Sequence, residues 1–160
     1  MKFLLMGILL GLPIMVSAAE PTLVYLVRHA EKVDESRDPE LSEKGMERVA
    51  LLERFFERIQ PDQVISTQFI RTRNTVKPIA DARKLPLTII KAGKEEQVVE
   101  TVKNADGGVF LVSGHSNTVP KMIKLLGGPE ITIPHDGYSN VFLIILDGEN
   151  TVFQNFRLDP

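Results

Sequence analysis

Apolar runs and amphipathic stretches alternate along this chain in a way that sets out its elements. Leu23-Val24-Tyr25-Leu26-Val27 is continuously apolar, the pattern of a strand covered on both faces and so central in its sheet. Residues 33–40 are polar and contain Pro39, which predicts a loop over the carboxyl end of that strand. Ser42 can cap a helix in which Val49, Leu52, Phe56 and Ile59 recur at three- and four-residue intervals. The helix is expected to reach about Ile59, with Leu41 stapled onto Met46 and with Glu47, Arg48, Glu53, Arg54 and Glu57 facing water. A short strand, 63–66, precedes a helix from about Arg71 to Lys84, which Pro78 should kink or divide.

The second half repeats this order. Leu85–Ile90 reads as a strand near the sheet edge, since Pro86 lacks a ladder donor. Lys94–Lys103 reads as a helix with Val98, Val99 and Val102 inward, and Val109–Val112 as a second buried strand. Thr118–Leu126 is helical with Pro120 in its first turn, and Val141–Leu146 pairs with Thr151–Arg157 as a hairpin across Gly148. This alternation predicts an α/β domain of three layers, α/β/α, with a mostly parallel central sheet and an antiparallel edge hairpin.

Composition narrows the partners. The net charge of −2 leaves no basic face for a polyanionic backbone, so nucleic acid is not expected. Cysteine is absent, which removes disulfides, thiolate metal sites and cysteine nucleophiles. The first 19 residues differ from the rest: Lys2, then a mostly apolar stretch to Val16, then Ser17-Ala18-Ala19. That stretch is shorter than the roughly 20 residues of a spanning helix, and it ends in small residues suited to cleavage. A signal peptide over 1–19 is therefore expected, followed by a catalytic domain over 20–160, with a periplasmic or secreted location and no stable membrane insertion after cleavage.

Charged side chains then fall where strands end. Arg28-His29 follows the first strand, Arg71 opens the helix after the second, and Ser113-Gly114-His115-Ser116-Asn117 follows the fourth. Open α/β sheets present ligands at such strand ends. Two arginines and a histidine around His29 make a cationic cup, and guanidinium forks suit the oxygens of a phosphoryl group. Asn117 can contact the same phosphate, and Ser116 and Asn117 can cap the following helix. His29 is expected to attack phosphorus, because neighbouring cations keep its imidazole neutral. No metal or other cofactor is needed by this set. Glu31 is expected to orient arginines by ion pairing, Lys32 to line the rim, Arg73 to be structural, and His135-Asp136 to lie on the surface.

These segments together resemble the histidine phosphatase superfamily, the phosphoglycerate-mutase-like group, in its small single-domain branch. Arg28-His29-Ala30-Glu31 resembles the Arg-His-Gly motif, and Leu41-Ser42-Glu43-Lys44-Gly45 the Leu-Thr-x-x-Gly helix start. Ser66-Thr67 with Arg71-Thr72-Arg73-Asn74-Thr75 resembles the second arginine motif, and Gly114-His115-Ser116-Asn117 the second histidine motif. The resemblance implies a phosphohistidine on His29, with Arg28, Arg71 and His115 holding phosphate. Some branches carry an aspartate after the second histidine, where Ser116 stands here. Others use a glutamate after the third strand, which makes Glu95 and Glu96 the candidates for general acid. The expected activity is hydrolysis of a small phosphate monoester. A phosphohistidine-protein phosphatase and a non-catalytic phospholigand-binding protein are the alternatives.

Overall fold

The computed structural model describes residues 20–159, so the leader expected over 1–19 lies outside the described residues. The elements run β1 Thr22–Arg28, α1 Glu43–Phe55, β2 Gln63–Ser66, α2 Ile70–Ala82, β3 Leu87–Ile89, α3 Glu95–Lys103, β4 Gly108–Gly114, α4 Thr118–Leu125, β5 Asn140–Asp147 and β6 Asn150–Arg157. They form one six-stranded sheet in the order β3-β2-β4-β1-β5-β6. The β1/β4, β2/β4 and β2/β3 pairs are parallel, while β5 and β6 add an antiparallel edge. The expected α/β architecture is present.

The period of two along each strand divides the core. Val24 and Leu26 of β1 pack with Phe110 and Val112 of β4 under Val98, Val102, Val119 and Ile123 of α3 and α4. Tyr25 and Val27 point the other way, with Leu111, toward Leu52 and Phe56 at α1 and Val76 and Ile79 of α2. A strand buried on both faces must be apolar at successive positions, which is why β1 shows no alternation in its sequence.

Several local expectations change. The first helix stops at Phe55, short of Ile59, because the chain tightens into a turn where Glu57 N–H donates to the Arg54 carbonyl and Ile59 N–H to the Phe56 carbonyl. The Arg83 guanidinium then reaches the carbonyls of Phe56 and Ile59, satisfying acceptors at the helix end. Arg48 does not face water: its side chain is 11% exposed and forms a two-pronged pair with Glu31 at 2.8 Å. Met46 is 59% exposed rather than folded onto Leu41 as a staple. Helix α2 runs undivided through Pro78. The third strand is shorter than expected, because Lys84 takes a left-handed turn at φ 56° and Pro86 precedes the ladder.

The start of α1 positions the site. Ser42 Oγ accepts from Gly45 N–H at 3.1 Å, and Ser42 N–H donates to the Glu31 carbonyl at 2.9 Å. The helix therefore abuts the backbone just after His29, and a Cβ at Gly45 would run into the Glu31 carbonyl oxygen. Gly45→Ala should lower stability by about 1–3 kcal/mol through this overlap. Chemical denaturation checks it, with an unchanged midpoint as the contrary result.

Candidate active site

Parallel pairing of β1 with β4 sets Arg28 opposite Gly114. His29 N–H donates to the Gly114 carbonyl at 2.9 Å, so the ladder extends one residue and the two histidines leave adjacent strands side by side. Their ring centroids are 5.4 Å apart. Thr75 of α2 links a third segment: its hydroxyl accepts from Ala30 N–H at 2.9 Å and donates to the Arg71 carbonyl at 2.7 Å.

His29 is buried, 4% exposed, and its Nδ1 lies 2.7 Å from the Ala30 carbonyl oxygen. A carbonyl oxygen only accepts, so Nδ1 carries the proton and Nε2 keeps its lone pair. Burial, then the charges of His115, Arg28 and Arg71, push the His29 pKa down to about 3, against the pull of the Ala30 hydrogen bond. His115 is lowered to about 4 by burial and by Arg71 and Arg28, with Glu95 opposing. Its Nε2 is buried without a partner among the described residues, and Phe69 meets its ring edge-on at 5.3 Å. Both rings are therefore neutral at neutral pH, the form in which imidazole is a nucleophile.

The arginines are held differently. Arg28 donates from one terminal nitrogen to the Pro134 and His135 carbonyls at 2.9 and 2.8 Å, and from the other to Tyr138 Oη at 3.1 Å. Its guanidinium also stacks on the Tyr138 ring at 3.9 Å, while Nε–H has no acceptor among the described residues. Arg71 rests over Phe69 at 4.5 Å, reaches the Arg37 carbonyl at 3.4 Å and lies 3.7 Å from Asp38. Asp38 also accepts from Ile70 N–H at 2.8 Å, capping α2 from the loop after β1. That loop thus anchors the arginine-bearing helix.

An open cleft of about 510 Å³ runs out from this centre, lined by Arg71, His115, Asn117, Glu95, Lys121 and Phe69 among others. Asn117 is at the start of α4 but makes no side-chain cap; Thr118 Oγ1 instead accepts from His115 N–H at 2.8 Å. The two candidate acids separate. Glu95 is buried at the cleft wall, whereas Glu96 is exposed beside it and outside the lining. Burial would raise the Glu95 carboxyl, but hydrogen bonds from Lys121 and the Gly93 amide outweigh it and hold the group below its ordinary range. Arg73 is exposed, and Lys32 pairs with Glu35 at the edge. Glu31 orients Arg48 rather than Arg28 or Arg71.

The side chains of His135 and Asp136 are exposed as expected, yet the backbone of the same loop grips Arg28. Tyr138 was not foreseen from sequence. A tyrosine shortly after a Pro134–Gly137 loop was the available signal, but nothing local points it toward Arg28, 110 residues away.

Residues 24–100 match the family described as Histidine phosphatase superfamily (branch 1). That segment takes in Arg28, His29, Arg71 and Glu95 and ends before His115. No curated protein is a match for the chain. Among solved structures, the protein histidine phosphatase SixA complexed with tungstate is similar at TM-score 0.69 and 20% identity, covering 85% of this chain and 97% of its own. Phosphoglycerate mutase from Bacillus anthracis is similar at TM-score 0.72 and 14% identity, covering 87% and 94%. Phosphoserine phosphatase from Entamoeba histolytica, in complex with 3-phosphoglyceric acid, is similar at 0.65 and 16%, covering 85% and 96%. At these identities the likeness carries the fold. The matched family segment spans 77 of the 160 residues, and SixA stands among the structural neighbours.

The depressed histidines make a pH prediction. Unfolded, each ring would take up a proton near its ordinary 6.5; folded, only near 3 for His29 and 4 for His115. Between those values the unfolded chain binds more protons, so the stabilisation is complete above pH 6.5 and is lost as pH falls through the folded values. Histidine ring shifts in NMR should show both rings neutral at about pH 5, where ordinary histidines are protonated. A midpoint near the ordinary value for either ring contradicts the geometry.

Proposed function

We propose that the chain is a phosphatase that hydrolyses a small phosphate monoester through a phosphohistidine on His29. One observation carries the reading: a neutral His29 with Nδ1 tied to the Ala30 carbonyl, and hence a free Nε2 lone pair, beside His115 and two guanidinium groups. In the first step Nε2 forms a bond to phosphorus as the bond from phosphorus to the leaving oxygen breaks. Arg28, Arg71, His115 and Asn117 hold the phosphoryl oxygens, and cationic donors fixed beforehand favour the charge that spreads over them. Water then adds its oxygen to phosphorus, the N–P bond returns its electrons to Nε2, and the water's proton goes to solvent. The match to the histidine phosphatase superfamily supports this chemistry.

A second reading is a phosphohistidine-protein phosphatase. It is favoured by the clamped Glu95, because an imidazole leaving group departs as a neutral molecule and needs no positioned acid, and SixA is named a protein histidine phosphatase. The non-catalytic binder remains the contrast to both. We also place the mature domain outside the cytoplasm, in the periplasm or secreted, on the leader pattern over 1–19.

His29→Ala should lower aryl phosphate hydrolysis by about 10³-fold or more, since removing the nucleophile removes the covalent route. Retained turnover in a steady-state assay contradicts the reading. Mass spectrometry of the protein recovered from expressing cells should find the mature amino terminus at Ala19 or Glu20; an intact Met1 in all material contradicts export with cleavage.

A further inference from the structure

The carboxylate that lines the cleft is not arranged as an acid. Glu95 opens α3 at the wall of the cleft that also holds His115 and Arg71. One of its oxygens accepts from the Gly93 amide at 2.8 Å, and the other accepts from Lys121 Nζ at 2.9 Å. Its side chain is only 6% exposed, and both donors favour the charged carboxylate over its protonated form. Lys121 comes from α4, packed against α3, and its ammonium also pairs with Glu96 at 2.8 Å. The other titratable or charged groups around Glu95 include His115 and Arg71 across the cleft, Glu96 and Lys94 on or beside its own helix, and Lys91 in the loop before it.

We propose that Lys121 is a specificity-determining positioning residue: by clamping Glu95 as a hydrogen-bond acceptor, it keeps this carboxyl from donating a proton to the leaving group. The chain then turns over phosphoryl compounds whose leaving group departs unassisted, such as aryl phosphates, acyl phosphates and phosphoramidates, and discriminates against alkyl phosphates. This inference rests on His29 as the phosphoryl acceptor. It adds that the bound for the leaving group is written outside the nucleophile and arginine set, in a lysine one helix away. The physical logic is the coupling of a buried carboxyl to its ammonium partner. Without the ammonium, burial disfavours the charged form and the carboxyl takes up a proton that it can deliver to a leaving oxygen.

The test compares the wild type with Lys121→Met, Lys121→Gln and Lys121→Met/Glu95→Gln on p-nitrophenyl phosphate and glycerol 1-phosphate. Positioned acids contribute about 10²–10⁴-fold, so a partly realised gain of about tenfold or more in the alkyl-to-aryl ratio of kcat/KM is expected in Lys121→Met. The gain should fall away on the basic side of a Glu95 titration and vanish in the double variant. Two variants at position 121 guard against one failing to fold. An unchanged alkyl-to-aryl ratio in a folded variant overturns the proposal, as does a gain that survives Glu95→Gln. Carboxyl ¹³C shifts give an activity-free readout: Glu95 should titrate below the ordinary glutamate range in the wild type and above it in Lys121→Met, and equal titration overturns the proposal. If the wild type hydrolyses no aryl phosphate while the carboxyl shift behaves as expected, the nucleophile reading fails and the clamp stands.

Discussion

The site depends on one constraint, the parallel register of β1 against β4. Because Arg28 lies opposite Gly114 and the ladder continues through the His29 N–H to the Gly114 carbonyl, both histidines emerge at the same height on neighbouring strands. Slipping this pairing by one residue would send alternate side chains to the opposite face. A slip of β1 would send Val24 and Leu26 from one core to the other, so two packed layers hold the register that sets the two histidines side by side. The apolar interior thus fixes the distance between two polar groups at its rim.

Charge around that rim is arranged in a second tier. Arg28 would be a mobile cation without the carbonyls of Pro134 and His135 and the Tyr138 ring that restrain it. Glu31 makes no pair with Arg28 or Arg71; it pairs with Arg48, which also donates to the Leu158 carbonyl and joins α1 to the segment after β6. Removing one member of so buried a pair typically costs about 3–5 kcal/mol, because the other is left charged without a partner. Asp38 serves the Arg71 segment in the same way, through the α2 backbone.

The strands, the elbows and the residues at them were legible in the sequence, because buried parallel strands read as apolar runs and polar elbows interrupt them sharply. His29 and His115 stand ring to ring, and Arg71, His115 and Asn117 line one cleft. What escaped was set by contacts between distant segments. Helical periodicity assigned Arg48 to water because it cannot see a carboxylate 17 residues earlier, and it carried α1 to Ile59 because it cannot see Arg83 capping the end. Glu95 and Glu96 were equivalent by sequence and are separated only by which side of α3 meets the cleft. Tyr138 had no local signal, since its role is to face an arginine at the far end of the fold's chain order.

The central claim is that the fold presents one nitrogen of one histidine for phosphoryl transfer. The direct measurement is ³¹P and ¹⁵N NMR of the ¹⁵N-histidine-labelled protein trapped during turnover of a phosphate monoester, which locates the N–P bond. With Nδ1 committed to the Ala30 carbonyl, phosphorus should be bonded to Nε2 of His29. A bond to Nδ1, or to His115, would contradict the account.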